Sequence, residues 1–382
     1  MTSSEQRFDI LEQVKTHIDR IRPTLPSQLA ITVGQFAFKS LMDRNHYGSD
    51  HTPSILHILH RKEIDPATVD VAANPDLFLV LETVFEPHYW FDLHSDLEGS
   101  RAFEENLESR VFDYHEEVVM AGSLSEGVTS GVLPTLSSRL IAEGKSTAFL
   151  AVFPSMEHSS DALFNAYSSM GLLLTDGTGP IILLDRTHLD EFVGVNRVGG
   201  LLSGGDVVSY LVELFLDKKG LIRDLMKLSS SFNVDLFTIF LASGASLEIY
   251  ESFRNILDIT LEQPMLDFDL STASLVYVLV RAPLRLKEQL PKGYIELEVN
   301  SWLKERVGLD VAQICESIYV DEFGDRIDVV VLVGGFDTKH LFETMSRRIS
   351  QFDGLIVEHD LYDKDVWLKI RSRLGKNPEP EI

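Results

Sequence analysis

The sequence has a single cysteine, Cys315, among its 382 residues. One thiol excludes a disulfide within the chain and a cysteine-rich zinc site. The sequence also lacks the run of about 18 apolar residues that a membrane-spanning helix needs. Its first residues, MTSSEQRFDILEQ, lack the basic start, the apolar stretch and the cleavage site of a secretory signal. These absences favour a cytoplasmic protein.

Basic residues are scarce as well. The chain has 34 Lys and Arg against 59 Asp and Glu, which gives a formal net charge of −25. No cluster of Lys and Arg offsets this charge, so nucleic acid would be repelled and we expect no nucleic-acid partner. What the sequence does have is a hydrophobic content of 44% and enough length for two cores.

Apolar runs alternate with helical patterns through the first half of the sequence. The runs that predict buried strands lie at 29–34, 76–85, 146–154 and 179–185. Helical patterns lie between them, and an amphipathic helix is predicted at residues 5–22. Such alternation is typical of an α/β protein with a parallel, doubly wound sheet, in which ligands bind at the carboxyl ends of the strands.

The stretch SLSEGVTSG (123–131) follows an apolar run and leads into a helical pattern. Backbone amides of a glycine–serine loop converge with those of the following helix, and the helix dipole favours an anion there. The pattern therefore predicts a phosphate-binding loop. Glu126 lies in its middle, and a carboxylate a few ångströms from phosphates opposes binding by on the order of 1–4 kcal/mol.

The second half of the sequence has a different pattern. Residues 205–231 are mostly helical with an interruption at DKKG, and strands predicted at 236–244, 274–282 and 327–337 indicate a smaller mixed sheet. We predict five units: an N-terminal helical extension (1–28), a nucleotide-binding domain (29–204), a connecting helix with a loop (205–231), an α+β domain (232–337), and a C-terminal helix with a tail (338–382).

Several segments, in the same order, resemble the tubulin/FtsZ superfamily. SLSEGVTSG is similar to the tubulin phosphate loop SLGGGTGSG, and VGQFAFKSL (33–41) to the first nucleotide loop VGQCGNQIG. AVFPSMEHSSDALFNA (151–166) resembles VVPSPKVSDTVVEPYNA, and IILLDRTHL (181–189) resembles CIDNEAL. LIRDLMKL (221–228) is similar to LNADLRKL, and LEQPMLDFDLSTASLVYVLVRAP (261–283) to the second domain of FtsZ.

The resemblance implies a Rossmann-like nucleotide-binding domain, a long connecting helix and a smaller α+β domain. It implies a cytoskeletal GTP-binding protein that forms or joins head-to-tail filaments in cell division, shape or membrane remodelling. The implied cofactor is GTP or GDP with Mg²⁺, and the implied partners are the chain itself or a paralogue, and a membrane-tethering adaptor. An FtsZ-like second domain favours a prokaryotic source. The positions that the resemblance assigns to nucleotide binding are Gly34, Gln35, Ser123, Leu124, Gly127, Thr129, Ser130, Gly131, Pro154, Asp161, Asn165, Asp185 and Arg186.

Three positions, Glu126, Arg186 and Lys227, depart from the family in ways that bear on activity. In the family, acidic side chains of a neighbouring subunit position the water that attacks the γ-phosphate. Asp224 matches one of these acids, whereas Lys227 stands at the other, and a lysine cannot orient or activate water as a carboxylate does. Arg186 replaces the asparagine that contacts guanine, and Glu126 replaces a glycine. We expect weak or lost GTPase activity, and the alternative is a nucleotide-free scaffold or regulator of a true FtsZ filament.

Other interpretations of the same residues stay open. SLSEG approaches the nucleophile elbow of hydrolases, with Ser125 as nucleophile and His188 or His340 as base. His57 and His60 are spaced to share a helical face, but no third ligand is placed by the sequence, so no metal site is expected. The polar residues after two of the predicted strands would serve equally as helix caps and turn residues; these are Asp161, Asn165 and Asp185.

Overall fold

The computed structural model describes residues 28–42 and 54–374, apart from short gaps at 67–68, 70, 72, 84–85, 113–114, 177–178, 197–198, 308–310 and 322–323. The helix predicted at 5–22 and the end of the tail, 375–382, lie outside the described residues. Within these described ranges, no helix is both long enough and apolar enough to cross a lipid bilayer.

The described strands form one sheet of ten. In chain order they are β1 (Gln28–Val33), β2 (Ser54–His60), β3 (Phe78–Leu81), β4 (Glu117–Ser123), β5 (Ser146–Phe153), β6 (Ile181–Asp185), β7 (Leu236–Ser246), β8 (Leu275–Pro283), β9 (Ala312–Val320) and β10 (Arg326–Gly334). Their order across the sheet is β3-β2-β1-β4-β5-β6-β7-β10-β8-β9. Neighbouring strands are parallel except where β10 pairs with β7 and β8. The predicted α/β fold class is confirmed.

The central strands are apolar at consecutive positions, with no alternation of apolar and polar residues. Every residue of β1 and of β4 is buried, as expected for strands that are covered by helices on both faces. β9 lies at the edge, and most of its residues are half-buried. Because β6 pairs with β7, the sheet continues from the first half of the chain into the second. The unit boundaries at 204 and 232 therefore stay predictions.

The helices connect and cover these strands. They are α1 (Gly34–Met42), α2 (Phe91–Glu98), α3 (Arg101–Leu107), α4 (Gly127–Ala142), α5 (Ser160–Asp176), α6 (Arg186–Glu191), α7 (Gly204–Leu216), α8 (Leu221–Phe232), α9 (Leu247–Tyr250), α10 (Phe253–Thr260), α11 (Lys292–Trp302), α12 (Lys339–Arg348), α13 (Gln351–His359) and α14 (Lys364–Leu374). Short 3₁₀ turns lie at Arg61–Glu63, Pro75–Leu77, Leu270–Thr272 and Leu284–Leu286, and π-helical turns at Glu108–Phe112 and Leu303–Val307.

Helix α7 joins the two halves of the molecule. It begins with a capping box, in which the Ser203 hydroxyl accepts the Asp206 N–H at 3.4 Å and the Asp206 carboxylate accepts the Ser203 N–H at 2.8 Å. Its buried side chains belong to one apolar cluster with residues of β4 and β5 on one side and of β7 and β8 on the other. The connecting helix is thus packed against both parts of the sheet.

The C-terminal helices pack on the first half of the chain. The Phe352 ring of α13 stacks on the Phe164 ring of α5 at 4.0 Å between centroids, and the Trp367 ring of α14 lies 5.5 Å from the same phenylalanine. The Arg371 guanidinium also pairs with the Asp353 carboxylate at 3.2 Å. These helices extend the core over α5 and do not stand as a separate tail.

Two local predictions are wrong. His57 and His60 do not share a helical face, because SILHILH forms β2, where residues three apart face opposite sides of the sheet. The strand is apolar on both faces and so carries no period-two signal. The apolar spacing of residues 247–261 predicts one helix. The structure has two, α9 and α10, separated at Glu251, whose φ of 63° is left-handed.

Candidate functional site

The site lies where the strand order reverses. From β1 the chain moves outward to β2 and β3 and then returns to β4 on the other side of β1, so β1 and β4 are neighbours. Val33 at the end of β1 pairs with Gly122 near the end of β4. Helices α1 and α4 begin directly after these two strands. Two helix N-termini therefore open into the crevice where ligands of such sheets bind.

A cleft of about 330 Å³ occupies this crevice. Its volume is at the small end of the range for ligand pockets, about 300–1,000 Å³. Four of the predicted nucleotide-binding residues line it: Gln35, Gly127, Asp161 and Asn165. Its charged lining side chains are Lys62, Glu63, Glu86, Glu126, and Asp161. The wall carries more carboxyl groups than cations, which opposes the binding of a phosphate chain unless a cation accompanies it.

Glu126 does not point out of the cleft. Its Oε1 accepts the Phe36 backbone N–H in the first turn of α1 at 2.9 Å, and its Oε2 lies 2.9 Å from the Thr129 hydroxyl oxygen. Burial, followed by the nearby Glu63 carboxylate, raises the Glu126 pKa to about 7, while the hydrogen bonds from Thr129 and Phe36 and the Lys39 charge oppose that rise. The carboxyl group thus occupies a backbone donor that an anionic ligand would use.

Gly34 makes room for this arrangement. Its φ of 80° is left-handed, and a Cβ at this position would overlap the Glu126 carboxyl and the Thr129 hydroxyl. Gln35 follows, and its side-chain amide donates to the Glu63 backbone carbonyl at 3.4 Å. Gly34 therefore lies against the phosphate loop, and Gln35 contacts the turn at Arg61–Glu63.

Residues 86–90 cover the N-terminus of α4. A Cβ on Gly127 would lie 2.6 Å from the His88 carbonyl oxygen, and a Cβ on Gly131 would overlap the Trp90 carbonyl. Both glycines are thus needed for close packing of this segment on the helix. The resemblance assigned both glycines to nucleotide binding, and the sequence assigned no site role to residues 86–90.

Asn165 and Asp161 hold the same segment from α5. The Asn165 side chain accepts the Trp90 N–H at 2.9 Å and donates to the His88 carbonyl at 2.9 Å. Asp161 accepts the Tyr89 hydroxyl at 2.9 Å. Burial, followed by the bond to Asp161, raises the Tyr89 pKa to about 12, so this phenol stays a donor at neutral pH. Both side chains fix the wall of the cleft.

The remaining phosphate-loop residues turn largely inward. Leu124 is fully buried in the core. The Ser123 and Ser125 hydroxyl oxygens lie 2.9 Å apart, and the Ser130 hydroxyl donates to the Glu126 carbonyl at 2.6 Å. Among the described residues, these side-chain contacts are local to the loop.

Pro154, Asp185 and Arg186 lie at the carboxyl ends of the strands, on the same side of the molecule as the cleft. Pro154 follows β5, and Asp185 ends β6, where its carboxylate caps α6 by accepting the Thr187 N–H at 2.7 Å. Arg186 pairs with Asp190 at 2.9 Å and lies over the Phe36 ring at 4.5 Å from its centroid. The geometry gives Asp185 the helix-cap role that its sequence context allowed.

The contacts of the residues concerned do not support the nucleophile-elbow interpretation or a metal site. The Ser125 hydroxyl is hydrogen-bonded to the Ser123 hydroxyl, and the His188 ring lies 3.3 Å from the Asp267 carboxylate. His340 lies on α12. His57 contacts the Thr32 hydroxyl at 2.7 Å, and His60 contacts the Thr83 hydroxyl at 3.0 Å. Within the part of the chain that the structure describes, no group of three His, Cys, Asp or Glu side chains could hold a metal ion.

Asp224 lies at the opposite end of the sheet from the cleft. It belongs to the first turn of α8, whose start is fixed by Glu117, the first residue of β4. The Glu117 carboxylate accepts the Gly220 N–H at 2.8 Å and the Arg223 N–H at 3.2 Å. The Asp224 carboxylate is half-exposed and lies 3.8 Å from the Lys227 ammonium.

No family model matches this sequence, and no curated protein matches it. Among solved structures, the chain is similar to CetZ from Methanosaeta thermophila, with a TM-score of 0.66, 15% identity, and coverage of 91% of this chain and 98% of that one. It is similar to the GDP-bound monomer of CetZ1 from Haloferax volcanii, with a TM-score of 0.61, 13% identity, and coverage of 85% and 99%. The chain has the tubulin/FtsZ fold.

The tubulin/FtsZ fold predicted from the ordered segments is thus confirmed. A third solved structure, the GTPγS-bound protofilament of CetZ2 from Haloferax volcanii, matches with a TM-score of 0.62, 16% identity, and coverage of 86% of this chain and 98% of that one. The matched region takes in both halves of the sheet. Identities this low carry the likeness in fold and leave the chemistry to be argued from the site.

Proposed function

We propose that this chain is a divergent tubulin/FtsZ-like cytoskeletal protein that assembles head to tail, binds guanine nucleotide weakly and hydrolyses it slowly or not at all. The observation that carries the proposal is the separation of the cleft from Asp224 along β4. The seven residues Glu117–Ser123 span roughly 20 Å, so Asp224 cannot reach the cleft of its own subunit. Stacking copies head to tail would bring it to the cleft of the next subunit.

The similar solved structures support two parts of this proposal, nucleotide binding and assembly. The CetZ1 structure is a GDP-bound monomer, and the CetZ2 structure is a GTPγS-bound protofilament. We extend guanine-nucleotide binding and protofilament assembly to this chain on the strength of the shared fold and of the cleft at the topological switch point.

The donor set fits a diphosphate only weakly. The Phe36 amide is already engaged by Glu126, and three further carboxylates face the cleft with Lys62 as their counter-charge. Carboxylate oxygens are ligands that Mg²⁺ takes together with substrate phosphates, so a bound cation would offset part of the repulsion. We therefore expect nucleotide affinity to be low and to depend on Mg²⁺.

Hydrolysis is weakened at the other end of the molecule. Asp224 would orient water against the nucleotide of the adjoining subunit, as the resemblance implies. Lys227, at the second acidic position, has three donors and no acceptor, and it lies beside Asp224. It cannot accept a proton from the water, so we expect little turnover in a homopolymer.

The second candidate is a nucleotide-free scaffold or regulator of a true FtsZ-like filament. The contact between Glu126 and the Phe36 amide favours it, because the crevice donor is satisfied without a ligand. In this case a paralogue would share the filament, and a membrane-tethering adaptor and a role in division, shape or membrane remodelling belong to the same proposal.

The test is to purify the protein, release any bound nucleotide with acid and identify it by chromatography. Sedimentation and electron microscopy then follow with GTP, with GDP and without nucleotide, together with phosphate release. Filaments that need GTP, with slow phosphate release, support the first candidate. Filaments that form equally without nucleotide support the second. Absence of filaments in every condition, alone and with a paralogue, would overturn both.

A further inference from the structure

Glu126 reaches across the crevice between two helix N-termini. It is the residue before α4, yet its carboxyl group binds the first turn of α1, 90 positions earlier in the chain. An N–H group can only donate, so Oε1 is the acceptor of the Phe36 amide. This amide belongs to the helix N-terminus where an anionic ligand would gain from both the free donor and the dipole.

The second carboxyl oxygen enters a chain of hydrogen bonds that needs a proton. The Thr129 hydroxyl oxygen lies 2.8 Å from the Val33 carbonyl oxygen and 2.9 Å from Glu126 Oε2. The carbonyl and an ionised carboxylate can only accept, and the hydroxyl has one hydrogen. Both contacts are full hydrogen bonds only when Glu126 is protonated, because beside an ionised Glu126 the Thr129 hydroxyl must divide its one hydrogen between two acceptors. Glu126 Oε2 then donates to Thr129, Thr129 donates to Val33, and Oε1 accepts from Phe36.

We propose that the protonated Glu126 side chain is a built-in occupant of the anion site at the N-terminus of α1, and that it excludes a nucleotide phosphate by this hydrogen-bond relay rather than by its charge. The inference rests on the proposed nucleotide cleft and names the side chain that sets its affinity. Gly34 supports it, because the carboxyl group fills the space that a Cβ would take. A phosphate must displace the whole relay to reach the Phe36 amide.

Two substitutions separate the relay from the charge. In Glu126→Gln the amide oxygen accepts from Phe36 and the amide nitrogen donates to Thr129, so the relay is kept and the charge is lost. In Glu126→Gly both are lost, and glycine is a favourable residue before a helix. Binding of inorganic pyrophosphate and of GDP with Mg²⁺ is measured by calorimetry on unassembled protein at about pH 6, where a carboxyl group with a pKa of about 7 keeps its proton.

The relay predicts that E126G binds pyrophosphate on the order of tenfold more tightly than the unsubstituted chain, since the freed donors gain hydrogen bonds to the anion. E126Q should stay within about twofold of the unsubstituted chain. Glu86→Gln is the matched control, because it removes a carboxylate from the rim of the same cleft without touching the relay. Its affinity should change less than about threefold.

Equal gains in E126Q and E126G would overturn the proposal in favour of simple charge repulsion. No gain in E126G, including the case in which no variant binds pyrophosphate or GDP, would overturn it as well. Glu126→Ala is the second variant should E126G fold poorly, and it has the same expected gain. Because binding is read on unassembled protein, the absence of filaments would count against the proposed function without altering this result.

Discussion

Two glutamates at the opposite ends of β4 bind the N-termini of helices far away in the sequence. Glu117 accepts the Gln28 side-chain amide at 3.1 Å as well as the Gly220 and Arg223 N–H groups, and it is 4% exposed. Glu126 Oε1 accepts one backbone N–H. Its Oε2 contacts the Thr129 hydroxyl, which also contacts the Val33 carbonyl. The acid that is surrounded by N–H donors is a fixed structural cap, whereas the acid short of donors is one that a ligand can displace.

The largest expected effect comes from breaking the fixed cap. Glu117→Ala removes the acceptor of the Gly220 and Arg223 backbone amides and leaves the Gln28 side chain with only its 3.3 Å hydrogen bond to the Lys218 carbonyl. We expect this to cost on the order of 2–4 kcal/mol in the free energy of unfolding. Urea denaturation measures this loss. Glu116→Ala is the control, because its side chain is exposed next to Glu117. Equal stability of the two variants would contradict the structural role of Glu117.

The pH dependence of stability tests the other end of the strand. Since the Glu126 pKa in the folded chain is raised to about 7, folding is favoured while the carboxyl keeps its proton. This contribution to the free energy of unfolding is fully present below the unfolded pKa of 4.5 and is lost as the pH rises through about 7. Glu126→Gln should remove this slope.

Relative to E126Q, the unsubstituted chain should lose on the order of 1–3 kcal/mol of unfolding free energy between pH 4.5 and 7.5. Denaturant titrations at several pH values give this difference. The charges of Glu63 and Lys39 act on Glu126 and are retained in both proteins, so the comparison isolates Glu126. Parallel pH profiles would show that Glu126 ionises as freely as in the unfolded chain.

Restoring an acid near Asp224 tests the catalytic part of the proposal. Lys227→Glu supplies a second acceptor for water at the end of the molecule that faces the next subunit, and we expect roughly tenfold faster phosphate release from GTP under assembly conditions. Asp224→Asn in the same background should remove the gain. Lys219→Glu is the control. It makes the same charge change five residues before Asp224 and should leave the rate of phosphate release unchanged. A rate that does not depend on protein concentration would argue against action between subunits.

The smallest effect is expected at Arg186, the position that the resemblance assigns to contact with the base. Arg186→Asn restores the amide that the family uses for guanine, at the cost of the contact with Phe36. We expect a few-fold gain in the preference for GDP over ADP, because a hydrogen-bonding amide discriminates between bases better than a guanidinium does. Competition binding with both nucleotides measures the ratio, and an unchanged ratio would place the base away from Arg186.

Much of the fold could be predicted from the sequence. Apolar runs marked β1 and most later strands, and the glycine–serine stretch marked the turn from β4 to α4. β2 was missed because a histidine interrupts its apolar run, and because its two histidines, three residues apart, imitate helical spacing. The role of residues 86–90 was missed because their contacts with Asn165 join segments more than 70 positions apart.

The sequence by itself determined the alternation of strands and helices, the position of the loop at 123–131 and the departures at Glu126, Arg186 and Lys227. These are local properties, since periodicity and turn chemistry act over a few residues. Only the tertiary structure decided which backbone amide Glu126 binds and at which end of the sheet Asp224 lies. The order of strands sets both, because it brings the N-termini of α1 and α4 together at the carboxyl ends of β1 and β4 and holds the start of α8 against Glu117 at the opposite end of β4.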